Sequence, residues 1–206
     1  MPSNPKSIKQ KFFPTNHRVL LERRLSNDLL QCSGKALVIG AGHDPYNLMM
    51  KNASEIVTND IDPNLENIDI VSPAENIPED SATFDSIIAI EVFEHVKNLS
   101  LCIKECSRLL RQDGVLYFTM PVLFHIHPDP SDFRRLTKQG IKTYLENSFE
   151  IIEMNYYGNV TNVICDIVSS SNIFMRILRP FFYLATYIPF SSEKFPSGVT
   201  VLARKK

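Results

Sequence analysis

The chain has 206 residues, of which 44% are hydrophobic and 22% charged. That length suits one domain able to bury a core unaided, and the composition excludes collagen-like, disordered and disulfide-stapled classes. A formal net charge of -1, from 22 Lys+Arg against 23 Asp+Glu, gives no electrostatic basis for broad nucleic-acid binding.

In chain order, residues 1–16 form a polar N-terminal arm that lacks the apolar core of a signal peptide. Val19, Leu20, Leu25, Leu29 and Leu30 recur at helical spacing over 17–31. Ala36–Ile39 is a short apolar run, the mark of a strand buried on both faces. Gly40-Ala41-Gly42 follows, then His43-Asp44-Pro45 and a helix predicted through about Lys51. Strands are predicted at Glu55–Asn59, Ile68–Val71, Phe84–Ile90, Val115–Val122, Phe149–Tyr157 and Gly198–Ala203. Helices are predicted at Leu99–Leu110 and Thr137–Asn147, with a Pro-broken helical insert over 161–190. This alternation implies an α/β sheet with helices on both faces.

Cys32, Cys102, Cys106 and Cys165 form no CxxC, and no His pair completes a zinc spacing. The expectation is therefore no metal, with reduced thiols in a cytoplasmic chain. The longest stretch free of Asp, Glu, Lys and Arg, Gly114–Pro128, falls short of the ~20 residues a membrane span needs.

Gly40 permits a tight turn after the first strand, and Gly42 lets a ligand approach backbone. Asp60, 20 residues beyond Gly40, sits where a carboxylate accepts the hydroxyls of an adenosine ribose. Asp62 competes for that role, Asp60 falling closer to the strand end. Asp44-Pro45 replaces the third glycine of a dinucleotide fingerprint. A carboxylate capping that helix occupies the donors a pyrophosphate needs and repels it. A ligand with a cationic centre and no phosphate suits the site better, which favours S-adenosylmethionine (SAM) over NAD or FAD.

LVIGAG (37–42), TNDID (58–62), AENIPEDSATFDSIIAIEVFEHV (74–96) and LRQDGVLYFTMP (110–121) together resemble the small, single-domain class I SAM-dependent methyltransferases of the type 11 kind. The resemblance covers about residues 17–157 and the last strand. It implies one domain over 1–206, a doubly wound, Rossmann-like, mostly parallel seven-stranded sheet with helices on both faces, and an antiparallel last strand. It implies that Gly40, Ala41 and Gly42 contact the methionine part of SAM. Asp60 would hold the ribose, Ile61 pack on adenine, Ala74 and Glu75 line the adenine edge, and Glu91 lie near the methionine moiety. Val38 and Pro73 stand where the family usually and often, respectively, has an acid, and Asp44 could take over the role lost at Val38.

Methyl transfer to oxygen or nitrogen needs alignment, exclusion of water and often a base. His125, His127, Asp129 and Asp132, after the fifth strand, are the candidates, with His127, Asp132 and His125 expected to be catalytic and Arg135 to grip an acceptor phosphate or carboxylate. Asp132 pairing with Arg134 or Arg135 is the purely structural alternative. HPDPSDFRRLT (127–137) also resembles a segment of methyltransferases from surface-polysaccharide and sugar gene clusters. The acceptor expected is a small molecule or saccharide. The insert, 161–195, reads as a core-packing or dimer-forming helix pair, or as a lid or peripheral membrane contact through 172–190. The state expected is monomer or homodimer. The alternatives are an NAD-linked Rossmann oxidoreductase and a non-catalytic adenosyl- or partner-binding domain.

Overall fold

The computed structural model describes residues 14–42, 46–127, 131–171, 173–188 and 193–206. Most of the N-terminal arm, the Asp44-Pro45 pair and Asp129 lie outside the described residues. Helix α1 (Asn16–Asp28) leads into β1 (Gly34–Ile39), β2 (Ala53–Asp60), β3 (Ile70–Val71) and β4 (Phe84–Ile90). Then come α2 (Leu99–Leu109), β5 (Leu110–Pro121), α3 (Lys138–Leu145), β6 (Phe149–Tyr157) and α4 (Val160–Ser171). Two single-turn helices (Ile173–Arg176 and Arg179–Phe182) and a 3-10 segment (Tyr183–Tyr187) precede β7 (Gly198–Lys205).

The seven strands lie in the order β3-β2-β1-β4-β5-β7-β6. The first five pair in parallel, and β7 runs antiparallel to both its neighbours, so the predicted fold class holds. Alternation along β1 divides the core. Leu37 and Ile39 face the layer of α2 and α3 with Ile87, Phe118 and Val201, while Ala36 and Val38 face Leu21, Leu25 and Leu29 of α1. Cys102 and Cys106 are buried and unpaired, as the spacing suggested.

Three predicted features change. Among the described residues no long helix follows the glycine loop, and a 3-10 turn, Asn47–Met49, stands there instead. Tyr46, with φ 53°, breaks right-handed helical continuity there, and α1, arriving from before β1, covers that face instead. The fifth strand begins at Leu110, not Val115. Phe84 pairs with Leu110 and Ser86 with Val115, so residues 111–114 bulge out with Asp113 at φ 62°. Within the insert, Val163 and Ala185 are buried, whereas Phe174, Ile177 and Phe181 stay outside the core at 75%, 68% and 71% exposed.

Helix α1 is anchored at its start. Thr15 Oγ1 accepts the Arg18 N–H at 3.2 Å. Asp166, buried in α4, accepts the backbone N–H groups of Asn16 and His17 at 2.7 and 2.8 Å. These donors have no intrahelical partner, and a carboxylate there also complements the helix dipole. Asp166→Ala leaves two buried N–H groups unpaired, so it should cost about 2–4 kcal/mol of stability, read as a lowered thermal midpoint by circular dichroism.

Candidate active site

Parallel pairing sets the ends of β1, β2 and β4 along one sheet edge, with Ile39 opposite both Asn59 and Ala89. Gly40 turns at φ 65°, and a Cβ there would meet Val92 Cγ2 at 2.5 Å, so glycine is required for this close approach. Ala41 donates its N–H to the Asn59 carbonyl at 3.0 Å. Gly42, at φ 58°, donates to Asp60 Oδ2 at 2.9 Å, and a Cβ on Gly42 would point into open space. Asp60 Oδ1 accepts the Asp62 N–H at 3.0 Å, which leaves each carboxylate oxygen a lone pair for a ribose hydroxyl. Asp62 turns to Asn64 instead. Ile61 is 62% exposed. The buried Asn59 amide donates to the carbonyls of Ile70 and Ser72, drawing the 72–75 loop with Ala74 toward this edge. Glu75 caps the opposite side, accepting the Asn98 N–H ahead of α2.

Glu91 closes β4 at φ 54°, its side chain 18% exposed. Its Oε2 accepts from His17 Nε2 at 2.8 Å, and its Oε1 accepts from Thr119 Oγ1 at 2.9 Å. Burial opposes its ionisation, but the His17 imidazole and the Thr119 hydroxyl outweigh that and lower its pKa below the usual carboxylate range. His17 also hydrogen-bonds Ser197 Oγ at 2.9 Å and packs against Phe124 with ring centroids 4.6 Å apart. Sequence reading missed His17, Thr119 and Asn59. His17 and Thr119 meet Glu91 across 74 and 28 positions, so no local spacing marks them.

The loop after β5 folds back onto the turn after β4. Arg134 donates to the carbonyls of Phe93, Val96 and Lys97, and the Phe133 N–H reaches the Glu94 carbonyl at 2.8 Å. Asp132 grips Arg135 through both oxygens and accepts the His127 N–H at 3.1 Å. The Arg135 guanidinium, above all, holds the Asp132 carboxyl down at about 2. Asp132 and Arg135 therefore neutralise one another, and Arg135 is turned inward. His127 Nδ1 donates to the His125 carbonyl at 3.2 Å, and His95 Nδ1 donates to the Ser131 carbonyl. Glu94 is fully buried, and no other described residue hydrogen-bonds either of its carboxylate oxygens. Burial first, then the Glu91 charge, pushes its pKa well above the usual range. His125 Nδ1 is likewise buried without a hydrogen-bond partner among the described residues. Burial and the neighbouring His127, Arg179, Arg135 and His17 lower the His125 pKa. The structure thus brings His95, His125, His127, Asp132, Arg135 and Glu91 to one end of the sheet. A separate cleft of about 410 Å³, lined by Leu20, Arg23, Asn27, Tyr156 and Ile188 among others, contains none of the predicted cofactor residues.

Residues 37–118 match the family model of a methyltransferase domain. No curated protein matches the chain in sequence. Among solved structures, it is similar to a SAM-dependent methyltransferase from Archaeoglobus fulgidus (16% identity, 96% of this chain and 97% of that one, TM-score 0.62). It is similar to the [4+2]-cyclase SpnF (16% identity, 88% and 80%, TM-score 0.60). A third is a chain of the Haloferax volcanii complex between the Trm112 methyltransferase activator and a methyltransferase (12% identity, 98% and 99%, TM-score 0.61). At these identities the structural likenesses show the fold. The domain match and that fold support a class I SAM-dependent methyltransferase with SAM as cofactor.

The two loop glycines should respond differently to a Cβ. Gly40→Ala strikes Val92 and should destabilise the fold by about 1–3 kcal/mol as well as weaken SAM binding. Gly42→Ala meets no atom of the described residues. It should cost only the ~1 kcal/mol of a left-handed alanine, yet weaken SAM binding at least ~10-fold. Thermal melts and calorimetry on both variants check this.

Proposed function

We propose that the protein transfers the SAM methyl group to an oxygen or nitrogen of a small-molecule or saccharide-type acceptor. The observation that carries the reading is that the Gly42–Asp60 contact and the histidine-bearing loop after β5 share one sheet edge, with Glu91 between them. The open space at Gly42, the spare lone pairs of Asp60 and the exposed face of Ile61 fit the methionine, ribose and adenine parts of SAM. Ala41, Ala74 and Glu75 complete that set, and Glu91, held by His17 and Thr119, faces the cationic end. SAM, when bound, supplies an electrophilic methyl on a sulfonium.

His125 serves as the acceptor's proton acceptor, because its Nδ1 is uncommitted. Asp132 orients the segment carrying His127, and Arg135 holds Asp132 rather than reaching for the acceptor. The resemblance of 127–137 to sugar-cluster methyltransferases supports a saccharide-type acceptor. The exposed Phe174, Ile177, Phe181 and Leu184 support a lid, a dimer face or a lipid-facing surface over the insert. No helix among the described residues is long and apolar enough to cross a membrane.

Calorimetry with SAM, S-adenosylhomocysteine and NAD tests the cofactor. Tight NAD binding with no adenosyl-ligand binding would overturn the reading. Asp60→Ala removes two charge-assisted hydrogen bonds to the ribose and should weaken SAM binding about 100-fold or more. A methyl-uptake screen across sugar nucleotides, amines and quinol-like lipids identifies the acceptor. On the acceptor so found, His125→Asn should lower kcat about 100-fold or more, with SAM affinity retained.

A further inference from the structure

One side chain in the site has no explanation in methyl transfer alone. Glu94 is a fully buried carboxylate, and no other described residue hydrogen-bonds it. A buried carboxylate with no donor from another residue is costly, and native structures seldom retain one without a reason. His95 Nε2 stands 3.5 Å from its Oε1. His95 gives its Nδ1–H to the Ser131 carbonyl, so in the neutral ring Nε2 carries a lone pair and offers Glu94 no proton. His127 is arranged the same way, its Nδ1 turned to the His125 carbonyl and 3.4 Å from Asp132 Oδ2. One ligand atom each from Glu94, His95 and His127 lie within 4.8 Å of one another.

The His95 Nε2 lone pair and Glu94 Oε1, 3.5 Å apart, are reconciled by a positive centre between them, either a proton held on Glu94 or a bound cation. Two ligands bound at ~2.05 Å in tetrahedral array stand about 3.3 Å apart, close to the separation seen. Acceptors on both Nδ1 atoms are the arrangement that fixes imidazoles as metal ligands. The surrounding charge also fits, since the Asp132–Arg135 pair is self-neutralising and Glu91 adds negative charge.

We propose that Glu94, His95 and His127 bind a divalent first-row transition-metal ion of the zinc or cobalt type. Two imidazoles and one carboxylate are the donor set such ions prefer over magnesium or calcium. Three protein ligands leave a coordination position open. An acceptor hydroxyl in that position would lose its proton more readily, the proton passing to His125. The hydroxyl oxygen's electron pair then forms the new O–CH3 bond as the methyl–sulfur bond breaks and its pair stays on sulfur. Cation binding stands independently of the methyltransferase reading; this role toward the acceptor rests on it.

The test uses the untagged full chain, stripped with a chelator and titrated with Co2+, Zn2+ and Mg2+ without SAM. The wild type should take up one equivalent of Co2+ with visible absorption bands of a four- or five-coordinate ion, and Zn2+ should displace it. Glu94→Gln keeps the shape of the side chain, and His127→Asn alters a side chain with 32% exposure. With circular dichroism confirming their folds, each should weaken Co2+ binding at least ~30-fold. Calorimetry with SAM on Glu94→Gln should show affinity within about threefold of wild type, separating loss of metal from loss of the cofactor site. Absence of stoichiometric Co2+ or Zn2+ uptake by the wild type overturns the proposal. So does equal uptake by both variants, or binding of Mg2+ in their place.

Discussion

The site depends on keeping one carboxylate ionised at the end of the central strand. Glu91 is largely withdrawn from water, and burying a charge costs several kcal/mol unless partners repay it. Repayment comes from His17 at the start of α1 and Thr119 on the neighbouring strand. His17 is in turn fixed by Ser197 beside β7 and by Asp166, which accepts its backbone N–H from α4. Four segments far apart in sequence are thereby tied to one strand end. The same network sets the wall against which Phe124 and the loop after β5 pack.

A second layer of order comes from arginine. Arg134 supplies donors to three carbonyls of the turn after β4, and Arg135 neutralises Asp132. Neither guanidinium is arranged to bind an incoming anion. Together they hold residues 132–135 against Phe93–Lys97, and His127 lies beside His95. Surface arginine pairs contribute little, but guanidinium forks on buried carbonyls and carboxylates fix geometry.

The fold alone does not decide the chemistry. A [4+2]-cyclase shares it, as does a SAM-dependent methyltransferase, at equally low identity. The residues at the strand ends must carry the functional argument. In the proposed function they divide into a cofactor edge built on Gly40, Gly42 and Asp60, and an acceptor edge built on histidines and buried carboxylates. The exposed apolar insert lies apart from the sheet's core and is the part of the chain whose partner the sheet itself does not supply.

The sequence by itself determined the sheet. Four-residue apolar runs, Ala36–Ile39 and Ile87–Ile90, mark β1 and β4, because a central strand's burial is written in consecutive residues. It also located the glycine turn and Asp60, since a strand–turn–strand unit has a near-fixed length. It misplaced a helix after the glycine loop, where Tyr46 adopts a left-handed conformation that no periodicity announces. For the insert it left core packing, a dimer face, a lid and a membrane contact open, because periodicity records which side chains share a face but not what covers that face. Only the tertiary structure brought His17 to Glu91 across 74 positions. Only it set His127 beside Glu94 and His95. Those contacts form between loop ends and strand ends, where sequence separation carries no information about distance.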